Sequence, residues 1–328
     1  MEINWIEEYR QRFKKPFSLA SESKPVEFVS TGLIGIDCQV IRRGGLPKGM
    51  AVELAGKYSS GKTSIAGAIV AHYQSLGKSV VYFDVEGRLD VDWFRKIGVD
   101  LTKLYLPESK GEDVLSEIKY LITKNVDLIV LDSLNFLNAT SIIEREDEGV
   151  KMNESMGRAK MLNNFARDLL GGFKLDPKDK VISYLRKFDT TLLCLNHLFD
   201  AVDGYIKKTE TTGGEGMKNA FSVRLFMERM TRRQEESAEG EIVKIKMECK
   251  KSSVSPAFGH TSISINQTTG SITDDTDELV ACAVAKGLLV QRGAWFYPVG
   301  VGGVITDKFN GKSEALGWIN EHLEELRS

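Results

Sequence analysis

Gly56-Lys57-Tyr58-Ser59-Ser60-Gly61-Lys62-Thr63 is the stretch on which the fold of this chain turns. Before it, Met50-Ala51-Val52-Glu53-Leu54-Ala55 is a short strand-like run, and after it Ser64-Ile65-Ala66-Gly67-Ala68-Ile69-Val70-Ala71 is apolar at helical spacing. Strand, loop and helix together satisfy G-x-x-x-x-G-K-[ST], a pattern that chance produces in roughly one chain of this length in a hundred. Gly56 and Gly61 open backbone conformations closed to residues with a Cβ, so the N–H groups across Tyr58, Ser59, Ser60 and on to Ser64 turn inward around an anion. Lys62 supplies a point charge for β- and γ-phosphates, Thr63 a hard oxygen for Mg²⁺, and the helix its positive end. The stretch reads as a nucleoside triphosphate site.

The rest of the composition limits what surrounds that site. With 328 residues the chain is long enough for one large domain plus an appendage. Lys plus Arg (44) nearly balance Asp plus Glu (46), which excludes a global basic field and makes any nucleic-acid surface a local one. Cys38, Cys194, Cys249 and Cys282 are widely spaced and form no C-x-x-C pair; they read as small buried residues in a reducing compartment. No apolar run approaches ~18 residues and the first residues form no signal peptide, so the expectation is a cytoplasmic protein without membrane contact.

Residues 3 to 17 place Ile3, Ile6, Tyr9, Phe13 and Phe17 at helical spacing between charges, an amphipathic helix that either folds back on its own core or reaches a neighbouring subunit. From Val26 strands and helices alternate: strands at 79–84, 103–106 and 126–133, helices at 90–97 and 113–123. Near-continuous apolar strands between helices mean an α/β fold with a mostly parallel sheet covered on both faces. Asp132 ends one such strand, at the edge where open α/β sheets bind ligands, and suits a Mg²⁺-associated acid. Glu86, just past the neighbouring strand end, is the candidate to orient and deprotonate water, with Asp84 its competitor.

Residues 141 to 158 are charged and read as a mobile loop, and a helix follows with Met161, Leu162, Phe165 and Leu169 on one face. Residues 175 to 188 read as an inserted surface segment. The strand at 191–195 ends in Asn196-His197, and residues 198 to 217, with Tyr205, Lys207, Lys208, Thr211, Thr212, Gly213 and Gly214, form a flexible segment suited either to a sugar-phosphate backbone or to a lid. Strands at 220–229 and 241–249 read as a hairpin at the sheet edge, followed by Lys250-Lys251 and a strand near 261–266. The remainder reads as a small α+β appendage with helices at 277–286 and 313–326.

The order of these motifs resembles the RecA family of recombinases over almost the whole chain. Val29-Ser30-Thr31-Gly32 with Gly35-Ile36-Asp37, Gly44-Gly45-Leu46-Pro47-Lys48-Gly49, Asp84-Val85-Glu86, Lys96-Ile97-Gly98-Val99-Asp100, Thr211-Thr212-Gly213-Gly214 and Gly293-Ala294-Trp295-Phe296-Tyr297 all look like family signatures. The resemblance implies a RecA-like ATPase core at 28–268, an N-terminal helix and linker at 1–27 that docks on the adjacent protomer, and a small C-terminal α+β domain at 269–328. It implies ATP and Mg²⁺ as cofactors, Lys62 and Thr63 on phosphate and metal, Glu86 activating water, and Asp132 as second acid. Asp90 and Trp93 would contact the adenine. The loops at 143–157 and 198–217 would bind DNA, with Arg158 beside the first. Asn196-His197 stands where bacterial members have Asn-Gln and is similar to phage recombinases of the UvsX type, which makes His197 a γ-phosphate sensor. Lys250 matches the first of two basic residues that reach the neighbour's ATP, whereas Ser252 holds the second position and Lys251 lies between them. The chain ends without the long acidic tail of bacterial members.

The activity so implied is ATP-dependent strand exchange by a helical filament on single-stranded DNA, paired with duplex DNA, with a single-strand-binding protein and a loading mediator as further partners. The rival readings are a ring helicase or DNA motor on the same core, and an ATP-gated mediator with little turnover.

Overall fold

The structure, a computed structural model, describes residues 4–14, 21, 24–137, 154–176, 178, 182–203, 206–230, 235–237, 240–299 and 307–327. The chain opens with α1 (Asn4–Phe13), whose Trp5 and Phe13 are exposed; Ile3 and Phe17 of the expected helix lie outside the described residues. A two-stranded ribbon of β1 (Phe28–Val29) and β2 (Leu46–Pro47) precedes β3 (Ala51–Gly56), α2 (Lys62–Ser75), β4 (Val80–Asp84), α3 (Val91–Ile97), β5 (Leu104–Tyr105), α4 (Glu112–Thr123) and β6 (Leu128–Asp132). Then come α5 (Glu154–Gly171), β7 (Thr191–Asp203), β8 (Ile206–Thr211), α6 (Gly214–Ala220), β9 (Phe221–Arg229), β10 (Glu235–Ser237), β11 (Gly240–Ser252), β12 (His260–Asn266) and β13 (Ile272–Asp274).

These strands form one mixed sheet in the order β13-β12-β11-β9-β3-β7-β6-β4-β5, with β10 on β11 and β8 on β7. The strands from β9 to β5 run parallel, and β11, β12 and β13 add antiparallel ladders. Strand periodicity sends alternate residues to opposite layers. Val80, Tyr82, Leu128 and Val130 join a cluster with Ile65, Ile69 and Tyr73 of α2 and Phe94 of α3. Val81, Phe83, Ile129 and Leu131 join another with Ile118 of α4 and Leu162, Phe165 and Leu169 of α5. Both faces are covered, as continuous apolar strands require.

Two expectations about the strands are corrected. The β9–β11 hairpin does not lie at the sheet edge, because β9 also pairs with β3 and β11 with β12, leaving β13 as the edge. Alternation in sequence reports which face is buried and says nothing about lateral neighbours. The segment 198–217 is no open loop in its described part, since β7 runs on to Asp203 and β8 returns antiparallel from Ile206. Polar composition hid a run whose Leu198, Phe199, Val202, Ile206, Thr209 and Thr211 favour the extended backbone.

The edge strand β13 lies past residue 268, and α7 (Thr276–Ala285), β14 (Leu289–Arg292), β15 (Trp295–Pro298), β16 (Phe309–Asn310), α8 (Lys312–Glu321) and α9 (Leu323–Arg327) follow it. Their core gathers Val280, Cys282, Leu289, Phe296 and Ile319 around Ile34 from the main body. Asp274 fastens the junction by accepting the Ile34 and Gly35 N–H groups at 2.7 and 2.8 Å. The expected last helix is two helices that break at His322, whose ring stacks on Trp318 at 4.0 Å.

Candidate nucleotide site and the hairpin beside it

β3 delivers the chain to Gly56 and α2 takes it up at Lys62. Gly61 caps α2 with φ +85°, a left-handed conformation, and a Cβ there would run into Ile245. At Gly56 a Cβ would collide with the Ser60 hydroxyl. The Lys62 ammonium donates to the Gly56 and Lys57 carbonyls at 3.0 Å each, and burial lowers its pKa to about 8 against the attraction of Asp132 and Glu86. The Ser60 hydroxyl is buried and lacks a hydrogen-bond partner among the described residues. Among the described residues no side chain caps the N-terminus of α2. An ammonium, an orphaned hydroxyl and a helix end without a side-chain cap fit an anionic phosphate.

Thr63 donates its hydroxyl to Asp132 at 2.9 Å and Tyr82 donates to the same oxygen at 2.6 Å. Burial raises the Asp132 pKa to about 6 despite those two bonds, with Glu86 and Asp84 pushing in the same direction as burial. A hydroxyl and a carboxylate side by side are a hard-oxygen set, and Thr63 and Asp132 fit Mg²⁺.

Glu86 and Asp84 are separated by their partners. Asp84 accepts the Leu89 N–H at 2.8 Å and so holds its own loop. Glu86 accepts the Ser133 hydroxyl at 2.9 Å and lies 3.2 Å from His197 Nε2. The His197 pKa is lowered, first by burial and then by Lys62, against the pull of Glu86. A neutral imidazole that donates from Nε2 leaves Nδ1 as an acceptor, and Nδ1 is buried with no partner among the described residues. The Tyr58 ring covers His197 at 4.4 Å between centroids.

From His197 a polar network runs to Thr211 and Thr212, where the second strand of the hairpin ends beside the start of the first. The His197 N–H donates to Asn135 at 3.1 Å, and Asn135 donates to the Thr212 hydroxyl at 2.9 Å. Asn196 donates to Glu53 at 2.7 Å and to the Thr212 carbonyl at 2.8 Å. Glu53, fully buried in β3, also accepts from Arg224, which reaches the Thr211 hydroxyl at 2.9 Å. Gly213, with φ +112°, caps α6 and is followed by Gly214. Glu53, Tyr82, Ser133, Asn135 and Arg224 escaped the sequence reading. Glu53 carried a signal, because an acid inside an apolar strand requires a buried partner.

The remaining candidates divide. Asp90 caps α3 by accepting the Asp92 and Trp93 N–H groups at 3.0 Å, and the Trp93 indole donates to the Ser64 hydroxyl at 3.0 Å, beside the phosphate loop. Arg158 lies on α5. Lys207 and Lys208 pair through their backbones with Val202 and Ala201. Tyr205 and residues 143–153 of the first expected DNA loop lie outside the described residues. Lys250 forms an ion pair with Glu248 at 2.8 Å and, with Lys57, Lys218, Arg224 and Lys246, lines a cavity of about 900 Å³. Lys251 turns instead to α6, donating to the Lys218 and Asn219 carbonyls at 2.9 and 3.1 Å. A register shift between Cys249 and Lys251 separates the two lysines.

Fold and site together define an α/β protein with a phosphate loop at the carboxyl edge of its parallel strands. The family model described as the RecA N-terminal domain matches residues 15–272. The chain belongs to the RecA family. It is 31% identical to Protein RecA of Fusobacterium nucleatum over 279 residues, covering 84% of this chain and 68% of that protein. Protein RecA of Ureaplasma parvum is 31% identical over 292 residues, covering 87% and 81%. Protein RecA of Nitratiruptor is 31% identical over 310 residues, covering 92% and 82%. Among the described residues no helix is long and apolar enough to cross a membrane.

Proposed function

We propose that this chain is an ATP-dependent DNA strand-exchange recombinase, of the phage UvsX-like type, that assembles into helical filaments on single-stranded DNA. The observation that carries the reading is the cluster in which Glu86 meets both Ser133 and His197 at one end of a hydrogen-bonded network that ends on Thr211 and Thr212. Lys62 and the amides of residues 58 to 64 hold the phosphates of ATP, while Thr63 and Asp132 would hold Mg²⁺, which neutralises phosphate charge. Glu86 takes the proton of the attacking water. Ser133 and His197 hold its carboxylate in place, and His197 relates that site to the hairpin. Asp90 and Trp93 receive the base. Residues 143–157 and the hairpin with Lys207, Lys208 and Thr211 to Gly214 meet single-stranded and then duplex DNA. Lys250 reaches a neighbour's nucleotide, and Lys251 serves its own protomer.

In this reading residues 1–27 dock on the adjacent protomer, 28–268 form the ATPase core and 269–328 a small C-terminal domain. The protein works in the cytoplasm, with a single-strand-binding protein and a loading mediator as partners. The test is ATP hydrolysis with and without single-stranded DNA, with the same samples imaged by negative-stain electron microscopy. DNA-stimulated turnover with helical filaments is the expected result. Closed rings that hydrolyse ATP would overturn it in favour of a motor, and binding without turnover in favour of a mediator.

A further inference from the structure

One side chain of the phosphate loop reaches across to the strand that carries His197. Tyr58 occupies a position that the G-x-x-x-x-G-K-[ST] pattern leaves free. Directly after it the chain takes a left-handed conformation at Ser59, with φ +56°. The Tyr58 ring lies against the His197 imidazole, 4.4 Å between centroids and tilted by 39°. Tyr58 is 72% exposed and His197 only 7%, so the tyrosine stands on the solvent side of the imidazole. A lone exposed tyrosine is ordinary; a ring seated on the residue that faces Glu86 is not. Lys57, one position earlier, pairs with Asp200 of β7 at 2.9 Å, but both partners are exposed and such a pair holds little. The loop therefore grips β7 through Tyr58 rather than through Lys57.

The imidazole has few polar restraints of its own. Its Nε2 lies 3.2 Å from a Glu86 carboxylate oxygen, and its Nδ1 is buried with no hydrogen-bond partner among the described residues. One hydrogen bond fixes where Nε2 sits but leaves the ring plane free to turn. Two aromatic neighbours supply the missing restraint: Tyr58, and Phe136 at 6.2 Å and 70°, an edge contact. Phe136 ends the short turn Leu134–Phe136 after β6, in the stretch that also sends Ser133 to Glu86 and Asn135 to the His197 N–H. That side of the ring is anchored to the sheet. The other side depends on the loop that surrounds the phosphates.

We propose that Tyr58 is a positioning residue for hydrolysis, its ring holding the His197 imidazole in the plane from which Nε2 donates to Glu86. This role rests on the ATPase reading of the site given above. The tyrosine acts through His197 and not on phosphate or water, and it ties the shape of the phosphate loop to the carboxylate that takes the proton. The contact is made by the ring and not by the hydroxyl, so phenylalanine serves in its place and alanine does not.

The test has two arms, both on the full chain. In the first, the four histidines are isotope-labelled and followed by NMR without nucleotide or DNA, the His197 signal being assigned by its loss in His197→Gln. The Tyr58 ring current should displace the His197 Cε1–H signal in the parent; Tyr58→Phe should keep the displacement, and Tyr58→Ala should move the signal toward that of a solvated histidine. The second arm measures ATP hydrolysis with single-stranded DNA. An aromatic contact of this kind corresponds to about 2–10-fold in rate, so Tyr58→Ala should lower kcat by that factor with KM within about twofold of the parent. Tyr58→Phe should recover most of the loss, and in a His197→Ala background Tyr58→Ala should cost nothing more. A His197 signal unmoved by Tyr58→Ala overturns the proposal. So does a rise in KM at unchanged kcat, which makes Tyr58 a nucleotide contact, or a loss that persists in the His197→Ala background. Weaker DNA binding alone, with kcat at saturating DNA intact, also overturns it and makes the ring a stacking platform for a base. A parent chain that does not hydrolyse ATP refutes the ATPase reading instead, and the NMR arm still decides whether Tyr58 positions His197.

Discussion

Replacing Arg224 by Met tests the buried network most directly. Glu53 is fully buried, with one oxygen accepting from Asn196 at 2.7 Å and the other from Arg224, whose own side chain is only 14% exposed. Methionine keeps much of the arginine's volume and removes the charge, leaving a buried carboxylate with a single amide donor. Breaking such a pair costs about 3–5 kcal/mol. Losing the bond from Arg224 to Thr211 adds about 0.5–1.5 kcal/mol. Lys251 is the next cation to feel Glu53, yet its ammonium is engaged by the Lys218 and Asn219 carbonyls. Its help is through space only, which places the expected loss near 3 kcal/mol, toward the lower end of that range. The assay is urea unfolding of the full chain without nucleotide, followed by fluorescence. The double variant Glu53→Gln, Arg224→Met removes both charges and should recover at least half the loss, because no ion is left unpaired. An Arg224→Met variant within about 1 kcal/mol of the parent, or a double variant no more stable than the single one, would refute the reasoning.

The site and the junction fix four further outcomes. Burial raises the Asp274 pKa from 3.8 to about 6 against the Ile34 and Gly35 N–H bonds. The folded state thus holds its proton more tightly than the unfolded chain. Stability from this group is complete below pH 4 and disappears as pH rises through about 6, on the order of 3 kcal/mol in all. The stability difference between the parent and Asp274→Asn should follow that window, and a flat difference from pH 4 to 7 would show that the carboxyl titrates normally. Lys62→Ala should abolish binding of a fluorescent ATP analogue. Glu86→Gln should bind normally and hydrolyse about 10²–10⁴-fold more slowly, and equal loss of binding in both would contradict the role given to Glu86. His197→Ala is expected to uncouple hydrolysis from DNA, with His197→Gln restoring a donor toward Glu86; unchanged stimulation by DNA in the alanine variant would remove the sensor role.

The parallel half of the sheet was legible because its strands bury both faces and leave little room for polar residues. The phosphate loop was legible because glycine, lysine and threonine are constrained at fixed offsets. Asp132 and Glu86 could be placed at the ligand edge from strand ends alone, with Glu86 preferred to Asp84, but the partners of the two carboxylates, the Leu89 N–H on Asp84 and Ser133 and His197 on Glu86, were not legible. The hairpin after His197 was misread because lysines, threonines and glycines favour turns as well as polar strands. Arg224 and Glu53 are far apart in sequence, and only the parallel pairing of β3 with β9, which sets Glu53 opposite Arg224, brings them together. The helix break at His322 rests on a histidine ring stacked over the previous turn, which periodicity does not report.

The register shift in β11 decides where its two lysines go. Val243, Ile245, Met247 and Cys249 point into the layer that holds α2, while Lys246 and Lys250 are exposed. Strict alternation would send Lys251 into that apolar layer. Instead Cys249 pairs with Leu225 and Lys251 with Arg224, so Lys250 is the extra residue of a bulge. The bulge turns Lys251 toward α6, whose Met217 and Ala220 belong to the opposite layer. Strand length and charge placement are therefore one property here. Losing Lys250 would restore a regular ladder with Lys251 still opposite Arg224 and facing away from that layer, whereas losing Cys249 would slide the Lys250 ammonium into its inward-facing place. A frame-preserving loss of one codon is thus a surface change at one position and a core mutation at the one before it.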